Sequence, residues 1–215
     1  MPSPAIKIDA VDHLPFWRKP EFMLLLMTGT VWFGLSMYLV LINNFAVEVA
    51  KFDGSDTGWR ESVREIPGFM AFLVVFVIRF IREQTLAVVS ILLLGGATAV
   101  TSQFPSFWGL LLVTYIGSLG FHYFETVNQS LQLQWLKKET APRKLGWIVA
   151  AGSAGSLIAY TGVLIARDVA SGQPALGGLR ASMLIEGGHP ALWFLPFACV
   201  ALGLLGERSD LPFNA

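Results

Sequence analysis

Charge is scarce in this chain, and cysteine is almost absent. Only 14% of the 215 residues are charged, whereas a soluble domain of this size carries about a quarter. The fifteen basic and fifteen acidic residues cancel, so no net positive charge is present to bind a nucleic acid. The single cysteine, Cys199, excludes an internal disulfide and a thiolate metal cluster. Apolar sequence is abundant instead, at 54% of residues, which excludes a disordered protein and indicates one that spans a membrane several times.

Six apolar runs are long enough to cross a bilayer as helices. A crossing needs roughly 20 mainly apolar residues, because the hydrocarbon core is about 30 Å thick and each helical residue rises about 1.5 Å. We therefore predict an all-α polytopic membrane protein with a six-helix bundle at 22–206, an N-terminal segment 1–21 and a C-terminal tail 207–215. The predicted spans are about 22–43, 59–80, 85–103, 107–131, 145–166 and 190–206.

Basic residues are distributed unequally between the two sides of this predicted bundle. If the N-terminus lies inside, ten lysines and arginines fall on the inner side and five on the outer side. The positive-inside rule then predicts that both termini are cytoplasmic. The first apolar run is longer than the core of a signal peptide, so we expect it to stay in the membrane. The expected location is a bacterial inner (plasma) membrane, with the bundle in contact with lipid.

The fourth predicted span carries a stripe of polar side chains. Its members recur at steps of four, three, four and three residues, which places them on one side of an α-helix: Ser118, His122, Glu125, Gln129 and Gln132. His122 and Glu125 have the spacing of a titratable pair. Because polar groups are costly in hydrocarbon, the stripe predicts either a cavity wall on a substrate or proton path, or a buried hydrogen-bonded seam between helices. The first span adds a weaker polar side that ends at Asn43, a further candidate for the wall.

Charged residues mark the beginning of the second predicted span. Glu61, Arg64 and Glu65 are spaced for ion pairs within one helix. They are interpreted either as a charged helix end at the outer interface or as an outer gate. Glu125 falls in the inner half of its own span, so we expect it and the charged group to lie at different depths.

Two further features concern helix geometry. Pro67 and Gly68 are expected to bend or thin the second span, as is common in transporter helices. On the fifth span, Gly152, Gly155 and Ser156 form a surface of small residues. Such surfaces let helix backbones approach closely, so these three residues are predicted to form a helix-packing interface.

Motifs for enzyme chemistry and for cofactors are not found in the sequence. There is no phosphate-binding loop, no dinucleotide-binding glycine turn and no paired-histidine metal motif. His13, His122 and His189 fall in different predicted compartments or depths, which argues against a shared metal site. His122 alone has the chemistry of an axial ligand for haem or chlorophyll, but its Glu and Gln neighbours favour a polar cavity. We therefore expect no enzymatic activity, no cofactor and no metal.

Two segments resemble the N-terminal half of a major facilitator superfamily (MFS) transporter. They are residues 58–69, with the sequence GWRESVREIPGF, and residues 120–126, with the sequence GFHYFET. Six helices with both ends inside and a basic turn at Arg79 and Arg82 are similar to that half as well. The resemblance implies that the first and fourth helices line a central cavity. It also implies that the second and fifth helices help to form the interface with a second half.

One such half leaves three functional hypotheses open. As a half-transporter, the chain would pair with a second MFS half or a homodimer copy and move an unidentified small solute, with His122 and Glu125 as the coupling pair. As a non-transporting subunit, it would dock in a larger membrane complex, respiratory or photosynthetic, in a structural or assembly role. The third hypothesis is a fragment of a longer transporter. The polar stripe favours the first hypothesis, and the missing second half favours the second.

Overall fold

The computed structural model describes residues 15–171, and this part of the chain is helical and contains no strand. The all-α fold class is therefore confirmed for it. The predicted sixth span at 190–206 and the predicted tail lie outside the described residues. Between short 3-10 turns at Phe16–Arg18, Ala71–Leu73 and Thr101–Gln103, the helices are α1 (Pro20–Glu48), α2 (Gly54–Phe69), α3 (Val74–Val77), α4 (Glu83–Val100), α5 (Phe107–Trp135) and α6 (Ala141–Ser171).

Four helices of the described part are long and apolar enough to cross a membrane. They are α1, α4 with the 3-10 turn that follows it, α5, and α6 as far as Ile165. They correspond to the first, third, fourth and fifth predicted spans. α1 continues to Glu48, beyond its predicted end, because a helix does not stop where its apolar run stops. Four such helices are compatible with a multi-pass membrane protein.

The second predicted span, 59–80, is not one continuous helix. α2 ends at Phe69, and the chain then makes a 3-10 turn before the four-residue α3. Pro67 lies inside α2 and supplies no backbone N–H, and Gly68 is a poor helix former. The expected disturbance at these two residues therefore takes the form of a break just beyond them.

α1 and α6 pack side by side and run in the same direction. Lys144 near the start of α6 forms an ion pair with Glu21 near the start of α1. Further along both helices, the Ser36 hydroxyl donates a hydrogen bond to the Ser156 hydroxyl at 2.8 Å. Between these contacts Gly155 brings the two backbones together, because a Cβ at this position would lie closer than 3.0 Å to a backbone oxygen of α1. The pair therefore depends on a residue with no side chain.

α4 and α5 form the second closely packed pair, and they run in opposite directions. Ser130 near the end of α5 donates a hydrogen bond to the carboxylate of Glu83 at the start of α4, at 3.2 Å. Midway along α5, a Cβ on Gly120 would lie 2.7 Å from the Ser90 carbonyl oxygen and 2.7 Å from the Leu94 amide nitrogen. α4 is thus held against the glycine side of α5, which leaves the polar side of α5 to face α1 and α2.

Two apolar clusters form most of the core, one toward each end of the bundle. The larger cluster lies where α1 begins and α5 ends, and includes Met23, Leu24, Met27, Val31, Leu86, Ile91, Leu94, Phe124, Val127 and Leu131. The smaller cluster lies where α1 ends and α5 begins, and consists of Ile42, Phe45, Ala46, Phe52, Leu110 and Leu111. The middle of the bundle, between these clusters, contains the polar site.

Candidate functional site

A cavity of about 250 Å³ lies in the middle of the bundle, with walls from α1, α2, α4 and α5. Its apolar and aromatic lining includes Trp32, Leu35, Tyr38, Leu39, Leu94, Val113 and Phe121. Its polar lining consists of Arg64, Glu65, Thr98, Thr101, Thr114, Ser118 and His122. Charged and polar side chains are therefore gathered inside a bundle whose two ends are apolar.

The polar wall forms where α2 lies along α5. The Ser118 hydroxyl donates a hydrogen bond to the backbone carbonyl of Arg64. One turn further, the His122 imidazole lies over Gly68, where a Cβ would be 3.1 Å from its Cε1 atom. Both pairs are separated by the same number of residues, so α2 and α5 run in the same direction with a fixed register. This register places Arg64 and Glu65 beside Ser118 and His122, two groups of residues that the sequence did not predict to meet.

A chain of alternating charges runs along α2 into the cavity. Arg64 lies between two carboxylates: its Nε is 3.0 Å from Glu61 Oε2, and its Nη2 is 2.9 Å from Glu65 Oε1. Glu61 also contacts Arg60, which continues the chain away from the cavity. Two residues line the cavity, Arg64 and Glu65, whereas Glu61 does not. The three residues proposed as an outer gate or a charged helix end are therefore connected by ion pairs, and two of them lie on the cavity wall.

Arg60 is the buried end of this series of ion pairs, and it was not among the residues predicted from the sequence. Its side chain is only 2% exposed, and its Nη2 donates a hydrogen bond to Asn43 Oδ1 at 2.7 Å. Its Nη1 is buried without a hydrogen-bond partner in residues 15–171. One sequence signal could have indicated its burial. Arg60 lies seven residues before Pro67, and residues seven apart lie on the same side of a helix, so both belong to the side of α2 that is buried.

The lower half of the predicted polar stripe lies outside the cavity. Glu125 and Gln132 are partly buried and Gln129 is exposed, and none of the three lines the cavity. Glu125 forms no hydrogen bond or ion pair with the residues that the structure describes, so the pair predicted with His122 does not form there. The three residues continue the side of α5 that carries Ser118, because the spacing keeps them in line. They lie beyond the point where α2 has ended.

Two asparagines take part in contacts away from the cavity, the predicted Asn43 and Asn128 of α5. Asn43 accepts the hydrogen bond from Arg60 and does not line the cavity wall. Asn128, which borders the stripe, is buried and donates a hydrogen bond to the Thr28 hydroxyl of α1 at 3.1 Å. The side of α5 that faces α1 therefore also includes a buried hydrogen bond between the two helices.

The small residues of α6 pack within the bundle. Gly155 approaches Gly29 of α1, and Ser156 accepts a hydrogen bond from the hydroxyl of Ser36 on the same helix. A Cβ on Gly152 would lie 3.0 Å from Cδ1 of Trp32. These residues therefore hold α6 behind α1, and Gly152 supports the indole that lines the cavity.

The arrangement as a whole is a mainly apolar cavity in the middle of the bundle, with an ion pair and an imidazole on one wall. Its residues can bind and orient a small molecule through charge, hydrogen bonds and aromatic surface. Comparisons with protein-family models, curated proteins and solved structures found no match. The resemblance to MFS transporters therefore stays a prediction, and a function for this chain depends on the cavity and its residues.

Proposed function

We propose that this protein is an MFS-like half-transporter of a bacterial inner membrane, with both termini cytoplasmic. The observation that carries the proposal is the cavity in which Arg64 and Glu65 meet Ser118 and His122. Ionisable groups inside a membrane are costly and usually mark a path for a substrate or an ion. Structural helix packing alone needs no cavity and no ion pair on its wall.

The polar side of α5 gives the proposed path its direction. Ser118 and His122 line the cavity, and Glu125, Gln129 and Gln132 continue along the same side toward the end of the helix. In lipid this continuation would be unfavourable, because partly exposed carboxylate and amide groups would face hydrocarbon. A second half or a second copy of the chain would cover it and close the path.

The break after Gly68 supports a movement of the kind that transport requires. Alternating access needs helices that change shape near the binding site, and transporter helices are often interrupted there. α2 ends one residue after Gly68, and the imidazole of His122 lies against that glycine. The two parts of the second span can therefore reorient at the polar wall of the cavity.

A second candidate function is a non-transporting subunit of a larger membrane complex. The exposed amide of Gln129 and the carboxylate of Glu125, which has no partner in residues 15–171, favour it, because a permanent neighbour would satisfy these groups as well as a transporter half would. The two functions differ in one respect: only a transporter needs water to reach the cavity.

Cysteine labelling tests that difference without knowledge of the substrate. In a Cys199→Ser background, Thr98→Cys places a thiol on the cavity wall and Leu92→Cys places one on the exposed side of the same helix. We expect a membrane-impermeant maleimide to label Thr98→Cys at least ~10-fold faster, because the reactive thiolate forms in water and not in hydrocarbon. The measurement is gel-shift labelling in membrane vesicles of both orientations. Equal, slow labelling of the two thiols would contradict the transporter proposal.

The size of the purified assembly completes the test. Native mass measurement in mild detergent, with identification of every co-purified chain, distinguishes a pair of six-helix proteins from a large complex. A homodimer or a pair, together with a labelled cavity, supports the half-transporter. Stoichiometric recovery with a respiratory or photosynthetic complex, together with an unlabelled cavity, supports the structural subunit.

A further inference from the structure

The cavity has two unlike walls, and this difference limits what it can bind. The wall from α2 and α5 carries Arg64, Glu65 and His122, whereas the wall from α1 and α4 is mainly apolar and includes Trp32 and Leu94. A ligand that matches both walls has an apolar body and a single polar or charged end. The remaining question is the sign of that end.

The hydrogen-bonding capacity of the charged wall favours a positive end. The guanidinium of Arg64 already faces two carboxylates, those of Glu61 and Glu65. Glu65 uses only Oε1 in this contact, and its side chain remains 54% exposed. An anion approaching Arg64 would meet both carboxylates, whereas a cation approaching Glu65 finds a carboxylate oxygen that is not engaged.

The aromatic side chains of the cavity favour the same sign. Trp32 and Phe121 meet edge to face with 6.0 Å between their ring centres, and both line the cavity together with Tyr38. The faces of aromatic rings attract cations, most strongly the face of tryptophan. A cation in this cavity would therefore have a carboxylate on one side and aromatic surface on the other.

The hydroxyl groups of the cavity argue against a sugar. Thr98 and Thr101 each donate to a carbonyl of their own helix segment at 2.9 Å, and Ser118 donates to the carbonyl of Arg64. Three of the four serine and threonine donors on the wall are therefore already in use, and the fourth, Thr114, has an Oγ1 without a hydrogen-bond partner in residues 15–171. A polyhydroxylated solute needs many free donors and acceptors, because each of its buried hydroxyls must be paired.

We propose that the cavity binds a small organic cation, an ammonium group on an apolar or aromatic body, with Glu65 as its counter-ion and Trp32 as its aromatic contact. This deepens the proposed transport function by naming its substrate class. Binding at equilibrium requires no transport, so the two proposals can fail separately.

Three probes with one apolar body test the proposal on the full chain, purified with whatever chain accompanies it. They are 2-phenylethylammonium, 3-phenylpropionate and 2-phenylethanol, and binding is measured by calorimetry in detergent. We expect the ammonium to bind at least ~10-fold more tightly than the other two, because only it gains both the carboxylate and the aromatic contact. Equal or tighter binding of the carboxylate or the alcohol, or no binding of any probe, would overturn the proposal.

Matched variants locate the binding to these residues. Glu65→Gln and Trp32→Leu are each expected to lower the affinity for 2-phenylethylammonium about tenfold, because each removes one of its two contacts. Glu139→Gln alters an exposed carboxylate in the link between α5 and α6 and should leave the affinity unchanged. Gel filtration checks that each variant is folded, and the probe comparison on the unmodified chain does not depend on the variants. Unchanged affinity in folded Glu65→Gln would contradict the assignment of the counter-ion. If the ammonium binds tightly but the thiol of Thr98→Cys stays unlabelled, the binding site is supported and the transport proposal is refuted.

Discussion

Replacing Gly155 by alanine is expected to destabilise the bundle by about 2–3 kcal/mol, as overpacking of a close contact does. The added Cβ would lie closer than 3.0 Å to the carbonyl oxygen of Gly29 and 3.2 Å from the amide nitrogen of Phe33. Both atoms belong to the backbone of α1, so neither can rotate away as the end of a side chain would. The two helices must separate along their length, and this removes contacts on either side of Gly155.

The same substitution elsewhere on α6 provides the control. Gly162 is exposed and has no atom within 4 Å of the position of a Cβ. Because alanine is a better helix former by up to ~1 kcal/mol, Gly162→Ala should be neutral or slightly stabilising. Loss of helical circular dichroism during denaturant titration in detergent measures both variants. Equal stability of the two variants would show that α1 and α6 are not in close backbone contact at Gly155.

Replacing Arg60 by alanine is expected to lower the free energy of unfolding by about 3 kcal/mol, because it removes charge-assisted hydrogen bonds and buried packing together. The side chain is 2% exposed and connects α2 to Asn43 of α1. Its removal also takes away one of the two arginines that neutralise Glu61. Arg60→Lys should have an intermediate effect, because an ammonium keeps the charge but not the guanidinium geometry.

Arg79→Ala is the matched control for Arg60→Ala. Arg79 is exposed in the turn after α3, and a surface substitution of this kind usually changes stability by less than ~0.5 kcal/mol. The same denaturant titration compares the three arginine variants with the unmodified chain. If Arg60→Ala unfolds at the same denaturant concentration as Arg79→Ala, the buried guanidinium is not a structural connection between α1 and α2.

The sequence was most informative about the helices, because bilayer thickness imposes a length on apolar runs that no packing detail alters. The predicted first, third, fourth and fifth spans all correspond to helices of sufficient length and apolarity. The break in the second span was not predicted. Pro67 and Gly68 indicated that the helix is disturbed there, but not that it ends. From sequence, a bend at such a pair cannot be distinguished from a full break.

The site was predicted less completely, because its geometry depends on the register between helices. Ser118 and His122 were identified from their spacing, but their proximity to Arg64 follows from the way α2 lies along α5. That register depends on contacts such as the imidazole of His122 over Gly68. The spacing of His122 and Glu125 permitted a pair, yet the imidazole faces the glycine of another helix. Sequence spacing within one helix does not show whether a side chain contacts its own helix or a neighbouring one.

The contact between α1 and α6 joins two helices that are synthesised at different times. The 120 residues that separate Ser36 from Ser156 take about 6–24 s to translate at 5–20 residues per second. During that interval the Gly29 side of α1 waits for α6, its neighbour within residues 15–171, and α4 and α5 can already pair through Gly120. We therefore expect the α4–α5 pair to form before the α1–α6 pair during synthesis. A ribosome that terminates before residue 156 would release a chain in which α1 keeps its contacts with α4 and α5 but lacks the contact of its Gly29 side with α6.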